Sequence, residues 1–191
     1  MVEVITKSEF KTIPWKNDKG ETVELAINEG GTIDDFDWRL SIASVDENGE
    51  FSDFSGYFRH LVLIKGRGVE LSHDNKTCDS LDQLLSVAKF DGGCKTCATL
   101  TDGPISDFNL ITKSSLYYGT IQTFIDCKSA TLAKSELGFL YTLSDSSVLV
   151  EDGEKMLCKL PAGDLLKISN SQQRDFRITG SNIIHVRIDH L

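Results

Sequence analysis

His60–Leu71 has the sequence HLVLIKGRGVEL: an apolar run, a turn with two glycines and a second short apolar run. Leucine and β-branched residues in such short runs favour β-strands, and glycine favours the turn between them. A comparable order occurs in Ser146–Ser169, SSVLVEDGEKMLCKLPAGDLLKIS, where Pro161 and Gly163 form a turn ahead of the last apolar run. Both stretches therefore predict strand–turn–strand units, one in each half of the chain.

Further short segments of the same kind occur along the whole chain, separated by Gly, Asp and Asn. Their β-branched and aromatic residues and their regular spacing predict an all-β sandwich or barrel. They are TVELAIN, DWRLSIASV, CATL, DFNLITK, YYGTIQTFI, ATLA, GFLYTL and NIIHVRID.

The build of the two halves resembles the cupin β-sandwich. We therefore predict an all-β, cupin-like sandwich or barrel, arranged as a bicupin with two cupin-like halves in one chain. Residues 1–191 would form a single bicupin unit, in which about 1–115 are the first half with an N-terminal segment and 116–191 are the second. The two halves are too dissimilar in sequence to indicate an internal repeat.

Asp79–Phe90, DSLDQLLSVAKF, differs from the other segments in having helical spacing. Leu81, Leu84, Leu85 and Ala88 recur at i, i+3, i+4 and i+7. We predict a helix here, although two short strands joined by a turn would also suit the segment.

The overall charge bears on the kind of partner that the protein can have. The chain carries 29 acidic and 20 basic residues, for a formal net charge of −9 at pH 7. Such a field repels phosphate backbones and anionic lipids, so we predict no nucleic acid and no membrane partner. A small anionic ligand remains compatible with a local cationic pocket, because salt screens distant charges over about 10 Å. The sequence leaves open whether the chain forms a homodimer.

The N-terminus and the cysteines indicate the compartment. The first ten residues, MVEVITKSEF, include acidic residues and lack the apolar core of a signal peptide, and no run of about 18 apolar residues occurs in the chain. Five cysteines at irregular spacing argue against a secreted disulfide framework. We expect a cytoplasmic protein with reduced thiols.

Metal and cofactor motifs are weak. Cys94 and Cys97 form a lone CKTC, without a second pair or a histidine at zinc-ligand spacing. The four histidines show neither HxH nor HExxH spacing, and no phosphate loop or nucleophile elbow occurs. We therefore predict no metal, no cofactor and no catalytic residue, and expect binding rather than catalysis.

Two of the predicted strands carry polar residues at alternate positions. Alternation in a strand places Glu24 and Ala26 on one face of TVELAIN, and Arg39, Ser41 and Ala43 on one face of WRLSIASV. If the strands pair, Glu24 and Arg39 lie close enough for a charge-assisted hydrogen bond beside small residues that leave room for a ligand. The alternative is that both polar faces are exposed to water, as in many one-sided sheets.

A third polar face occurs in GPISDFNLI, where Asp107 and Asn109 alternate with apolar residues. Asp and Asn are poor strand formers, so their presence in an apolar strand indicates a special role. One role is hydrogen bonding in a pocket. The other is that either side chain secures a neighbouring turn through backbone N–H groups.

Taken in order, PWKN, TVELA, FDWRLSIASVDENGEFSDFSGY, LVLIKGRGVEL, FDGG and DGPISDFNLI resemble the HutD/Ves family. The resemblance covers Ile13–Lys113 well, and the remainder only as a second cupin-like half. It implies a bicupin without a catalytic metal in the bacterial cytoplasm, encoded in some members with histidine-degradation genes. The implied role is binding of a small acidic metabolite such as N-formylglutamate, with a regulatory effect on histidine utilisation.

The resemblance also implies a set of ligand-binding residues in the first half. Arg39 would clamp a carboxylate, and Lys16 would add a point charge. Asn17 and Ser41 would hydrogen-bond an amide or formyl group, and Trp15 would close one wall. The full predicted set is Trp15, Lys16, Asn17, Glu24, Arg39, Ser41, Asp107 and Asn109.

Glu24 would orient Arg39 in this reading rather than act as an acid or base. The chain also departs from the family pattern near the predicted site. Asp18 and Lys19 stand where the family is rich in glycine, Val23 stands where an arginine is usual, and Phe58 replaces an acidic residue.

Two alternatives to ligand binding remain open at this point. One is a metal-independent isomerase or hydrolase that uses Glu24 or Asp107 as a general base, for which a carboxylate titrating near neutral pH would be a sign. The other is a protein that docks a partner, which would expose an apolar patch of about several hundred Å² and lack a convergent polar pocket.

Overall fold

The computed structural model describes residues 1–14, 20–143, 148–153, 155–169 and 175–191. Over these residues the chain forms seventeen β-strands and no helix, which confirms the all-β prediction. The strands are β1 Val2–Ile5, β2 Lys11–Pro14, β3 Gly20–Ile27, β4 Trp38–Val45, β5 Gly49–Glu50, β6 Tyr57–Lys65, β7 Val69–His73, β8 Thr77–Leu81, β9 Val87–Asp91, β10 Thr96–Leu100, β11 Ile105–Lys113, β12 Tyr117–Thr131, β13 Leu137–Thr142, β14 Val148–Asp152, β15 Lys155–Leu160, β16 Leu165–Ser169 and β17 Phe176–His190.

The chain divides into two compact units. The first unit is Lys11–Tyr117, and the second combines Met1–Phe10 with Tyr118–Leu191. The N-terminal strand belongs to the second unit because β1 pairs antiparallel with β16, and the Met1 amino group donates to the Ser169 carbonyl oxygen over 2.9 Å.

Two antiparallel sheets build the first unit. One has six strands in the order β2-β3-β4-β11-β6-β9, and the other has four in the order β5-β10-β7-β8. Their inner faces share one apolar core, as the aligned packing of a β-sandwich requires. That core draws on both sheets and consists of Val45, Leu61, Leu63, Val69, Leu71, Leu81, Ala88, Phe90, Ala98 and Ile105.

The helix predicted over Asp79–Phe90 is wrong, and the alternative of two short strands is correct. β8 ends at Leu81 and β9 begins at Val87. Between them Leu85 has a φ of 68°, in the left-handed region, and its N–H donates to the Leu63 carbonyl oxygen over 2.8 Å. Leu84 is exposed, so the four apolar positions do not share one buried face. The spacing spans only two helical turns, too short to distinguish a helix from a strand–turn–strand segment.

The second unit is built on a seven-stranded sheet in the order β1-β16-β13-β17-β14-β15, with β12 paired to β17. Its apolar core consists of Cys127, Leu132, Leu140, Val148, Val150, Leu160, Leu166, Ile168, Phe176, Ile178 and Ile183. No helix long and apolar enough to cross a membrane occurs in the described ranges.

Candidate functional site

The polar cluster of the first unit lies on the inner face of the six-stranded sheet. Residues directly opposite one another in neighbouring strands share a face, and successive rows on one face are about 7 Å apart. Leucines of the apolar core occupy the same rows, which identifies the face as the inner one. From β4 through β11 to β6, the rows are Arg39–Ile111–Arg59, Ser41–Asn109–Leu61 and Ala43–Asp107–Leu63.

Glu24 joins this cluster from β3, just before a β-bulge in that strand. Glu24 pairs with Ser41 and so extends the second row, but the register shifts immediately after it. Beyond the shift Ile27 lies opposite Arg39, so Ala26 does not share the face of Glu24. The prediction of one uninterrupted alternation in this strand is therefore wrong, because a bulge inserts a residue and reverses the faces that follow.

A second register shift precedes Asp107, between Ser106 and Asp107 in the pairing of β11 with β6. Bulges disturb regular pairing and re-aim the side chains beside them. Both carboxylates of the cluster, Glu24 and Asp107, thus stand next to an irregularity in the sheet.

Glu24 and Arg39 form a buried ion pair. Arg39 Nε donates to Glu24 Oε2 over 2.9 Å. The Arg39 side chain is 4% exposed and the Glu24 side chain is 10% exposed. This contact confirms the predicted hydrogen bond and excludes the alternative in which both polar faces are exposed to water. Another nitrogen of the same guanidinium group, Arg39 Nη2, is buried and has no hydrogen-bond partner among the described residues.

A second chain of contacts links Arg59, Asn109 and Asp107. Arg59 Nη2 donates to Asn109 Oδ1 over 3.0 Å, and Asn109 Nδ2 donates to Asp107 Oδ1. Because these contacts join side chains, they favour a buried polar cluster over a role in securing a turn. Within the described part of the chain, Arg59 Nε and Asp107 Oδ2 are buried without a hydrogen-bond partner.

Burial shifts the pKa values of Asp107 and Arg59, the two ionisable groups in this chain of contacts. Burial raises the pKa of Asp107 to about 6, although the Arg59 charge and the Asn109 hydrogen bond oppose the shift. Burial also lowers the pKa of Arg59 to about 10, against the attraction of Asp107. Arg59 is therefore cationic at neutral pH, whereas Asp107 gains or loses its proton near the physiological range.

Three phenylalanine rings surround Arg59. Its guanidinium carbon lies 5.2 Å from the ring centre of Phe51, 5.3 Å from that of Phe54 and 5.2 Å from that of Phe90. Such cation–π contacts hold a desolvated arginine in place. Arg59 is absent from the predicted site residues. The signal that identifies it is a cation on the face of β6 that otherwise presents Leu61.

A buried histidine lies next to this aromatic cage. The His73 ring is 4.5 Å from the Phe90 ring, its Nδ1 contacts Thr96 Oγ1 at 2.9 Å, and its Nε2 contacts Asp79 Oδ2 at 3.2 Å. Both ring nitrogens have partners, so the contacts fix the orientation of the ring. His73 supports Phe90 and, through it, the position of Arg59.

Comparison with known proteins identifies the family. The HutD family model matches residues 7–186 of this chain. The chain belongs to the HutD family. A 21.2 kDa protein from the hutC 3′ region of Pseudomonas putida is 31% identical over 172 residues, which cover 90% of this chain and 89% of the relative. The predicted resemblance is therefore confirmed.

Solved structures agree with this assignment. A crystal structure of a conserved protein from Pseudomonas aeruginosa PAO1 is 29% identical, has a TM-score of 0.90 and covers 99% of both chains. HutD from Pseudomonas fluorescens SBW25, solved in a formate condition, is 28% identical, with a TM-score of 0.85 over 100% of both chains. An oxalate decarboxylase from Lactobacillus farciminis, at 9% identity and a TM-score of 0.61, shows the cupin-like fold alone.

The structure brings five of the eight predicted site residues of this HutD-family chain together. These are Glu24, Arg39, Ser41, Asp107 and Asn109, all of them buried. The other three, Trp15, Lys16 and Asn17, lie outside the described residues. The described part of the cluster is positioned by the strands β3, β4 and β11.

The cysteine pair stands apart from this cluster. All five cysteines are free, and Cys94 and Cys97 are half-buried. Desolvation, followed by the Asp74 and Asp91 charges, raises the pKa of the Cys94 thiol, which disfavours the thiolate that metal binding and redox chemistry use. In the described ranges, no three His, Cys, Asp or Glu side chains are grouped so as to hold a metal ion.

Proposed function

We propose that this chain binds a small acidic metabolite of the N-formylglutamate type on the inner face of the six-stranded sheet. One observation carries the proposal: Arg39 Nη2, Arg59 Nε and Asp107 Oδ2 are buried on that face without a hydrogen-bond partner in the described residues. A buried polar atom without a partner costs about 1–3 kcal/mol. A ligand that contacts these atoms would recover this free energy on binding.

The two arginine side chains of the cluster supply donors for an anionic group. Arg39 and Arg59 lie two strands apart in the same row and flank the apolar Ile111. Both guanidinium groups reach toward the second row, because one binds Glu24 and the other binds Asn109. An arginine held on one side by a carboxylate or an amide offers its remaining N–H groups to a ligand carboxylate in fixed geometry.

The residues of the neighbouring strand that face the cluster have small side chains. Ser41 and Ala43 lie between the β3 strand and the Asn109 and Asp107 side chains of β11. We assign the Ser41 hydroxyl to the amide or formyl end of the ligand. Trp15, Lys16 and Asn17 remain predicted as the rim of the site.

Calorimetric titration with N-formyl-L-glutamate tests the proposal. We expect saturable binding to the full chain, and a loss of at least about tenfold in affinity in Arg39→Lys, which keeps the charge but not the planar guanidinium. Arg67→Lys is the matched control, because Arg67 is exposed and pairs with Asp102 at the surface. Absence of binding by N-formylglutamate and related acidic metabolites at millimolar concentration would reject the proposal.

A regulatory role in histidine utilisation, in the bacterial cytoplasm, is the second part of this proposal. The P. putida relative from the hutC 3′ region supports it, and the five free cysteines suit a reducing compartment. Deleting the gene from its native host and measuring growth on histidine as the nitrogen source tests the role. Growth unchanged from the parent strain at every histidine concentration would argue against it.

One observation favours an enzymatic function as a second candidate. Asp107 has a pKa of about 6 and a carboxylate oxygen that accepts no hydrogen bond from a described residue, as a general base requires. Glu24 is less suited to that role, because its Oε2 accepts from Arg39. Release of formate from N-formyl-L-glutamate, followed by NMR at stoichiometric protein and lost in Asp107→Asn, would support a hydrolase. An unchanged spectrum would leave binding as the function.

A further inference from the structure

We infer that Asp107 selects ligands that carry an N–H group on the carbon next to their carboxylate, as N-acylamino acids do. This inference rests on the proposed function, because it concerns the same site. The ligand N–H would donate to Asp107 Oδ2, while the ligand carboxylate would accept from Arg39 and Arg59. Simple carboxylates, which lack the donor, would bind more weakly.

The unpartnered atoms of the cluster differ in donor and acceptor character. Asp107 Oδ1 already accepts from Asn109, which leaves Oδ2 without a partner in the described ranges. An ionised carboxylate oxygen only accepts, and a guanidinium nitrogen only donates. The group that faces Asp107 must therefore bring a proton, and the group that faces Arg39 Nη2 and Arg59 Nε must bring lone pairs.

The donor and the acceptor groups of the cluster are a short distance apart. Asn109 contacts Arg59 through its amide oxygen and Asp107 through its amide nitrogen. One side-chain amide thus spans the gap between the guanidinium and the carboxylate. A ligand whose carboxylate and N–H group are attached to the same carbon spans a similar gap, and so can contact the guanidinium and the carboxylate together.

The positive and negative charges of the cluster are balanced. At neutral pH the cluster contains two arginine cations and the carboxylates of Glu24 and Asp107, each buried. A ligand carboxylate adds a negative charge near Asp107, which is unfavourable in a desolvated site unless hydrogen bonds offset it. A neutral N–H beside the ligand carboxylate supplies that hydrogen bond. The ester oxygen of an isosteric ligand would instead face Asp107 with lone pairs.

The experiment compares two probes that differ at one atom. N-formyl-L-glutamate has the N–H group, and its ester analogue 2-(formyloxy)glutarate has an oxygen there. Calorimetry on the wild-type full chain should give at least about tenfold tighter binding of the amide, since a lost hydrogen bond to a buried charge costs about 1.5–3 kcal/mol. In Asp107→Asn, whose amide nitrogen can donate to the ester oxygen, the ratio should fall toward one.

The outcomes separate the inference from the proposed function. A wild-type ratio of about tenfold or more supports the inference, even if Asp107→Asn does not fold. Equal affinity for the two probes overturns the inference and leaves the proposed function standing. A large ratio that persists in folded Asp107→Asn also overturns the role of Asp107. If neither probe binds, the proposed function fails and the inference fails with it.

Discussion

Arg59 and Asp107 are linked through a single side-chain amide, that of Asn109, which accepts from Arg59 Nη2 over 3.0 Å and donates to Asp107 Oδ1. All three side chains are buried in the inner face of the first unit. Buried ions are seldom the most stable choice for a core, because apolar side chains of similar volume avoid the desolvation penalty. The arrangement is therefore better explained by a function at this site than by a contribution to stability.

The Glu24–Arg39 pair should be far more sensitive to mutation than an ion pair at the surface. Glu24→Leu removes the partner of a buried guanidinium, and we expect a loss of about 3–5 kcal/mol in the free energy of unfolding. Asp102→Ala is the control, because Asp102 pairs with Arg67 over 2.6 Å with both side chains exposed. We expect a loss below about 1 kcal/mol there. Urea denaturation measures both, and equal losses would contradict the prediction.

The buried histidines should make the protein less stable in mild acid. Burial, with a smaller contribution from Lys89, lowers the pKa of His60 to about 4, against an ordinary 6.5. Between these values only the unfolded chain binds the proton, so the free energy of unfolding falls as the pH is lowered from 6.5 to 4, by up to about 3 kcal/mol. Burial followed by the Arg187 charge shifts the pKa of His185 in the same direction, also to about 4.

Replacement of the buried imidazole tests this pH dependence. His60→Asn cannot gain a proton in that range, so its free energy of unfolding should change less with pH than that of the wild type. Urea denaturation in a series of buffers from pH 7 to pH 4 measures the difference. Curves that run parallel for the variant and the wild type would show that His60 is not held neutral in the folded state.

Asp107 should have the opposite effect in the same pH range. Its pKa rises from 3.8 to about 6 on folding, so the folded protein holds a proton that the unfolded chain has released. That contribution is fully present below about pH 4 and is lost as the pH rises through about 6. Asp107→Asn removes it, and the gain in stability between pH 4 and 6 should become steeper. A shallower profile in the variant would contradict a raised pKa.

Alternation along the strands predicted that Glu24 and Arg39 would meet if β3 and β4 pair, and both the pairing and the contact occur. It could not predict the bulge after Glu24. The inserted residue reverses the face that each later side chain of β3 occupies, and the spacing of apolar residues in the sequence does not show where such an insertion occurs. The helix predicted over 79–90 failed for a related reason. Its four apolar residues have helical spacing, but Leu85 adopts a left-handed backbone conformation. That conformation goes with the pairing of β6 with β9, which the spacing does not reveal.

Arg59 shows what the sequence conceals about the site. Its neighbours along the chain are Phe58 and His60, whereas its three ring contacts come from positions 51, 54 and 90. Phe90 is its cross-strand partner in β9, whereas the other two rings come from the segment after β5. A cage assembled from distant segments depends on the register of the sheet. The residues of the family motifs identified only the part of the cluster that lies on β3, β4 and β11.

Gly92 controls the position of the segment that carries Phe54. A Cβ atom at Gly92 would lie 2.6 Å from the Phe54 carbonyl oxygen and 3.0 Å from that of Tyr57, both of them backbone atoms. Two hydrogen bonds hold the backbone there, from Phe54 N to the Gly92 carbonyl oxygen over 2.9 Å and from Gly92 N to that of Tyr57 over 2.8 Å. Gly92→Ala must therefore displace the segment and move the Phe54 ring away from Arg59.

We expect Gly92→Ala to lower the free energy of unfolding by about 1–3 kcal/mol, in the range of overpacked sites. It should also weaken binding of N-formyl-L-glutamate, because the Arg59 guanidinium loses one of its ring contacts. Gly49→Ala is the matched control: a Cβ there meets nothing within 4 Å, and we expect a change within about 0.5 kcal/mol. Urea denaturation and calorimetry on both variants measure the two effects. Similar stability and affinity in the two would show that the segment does not position Arg59.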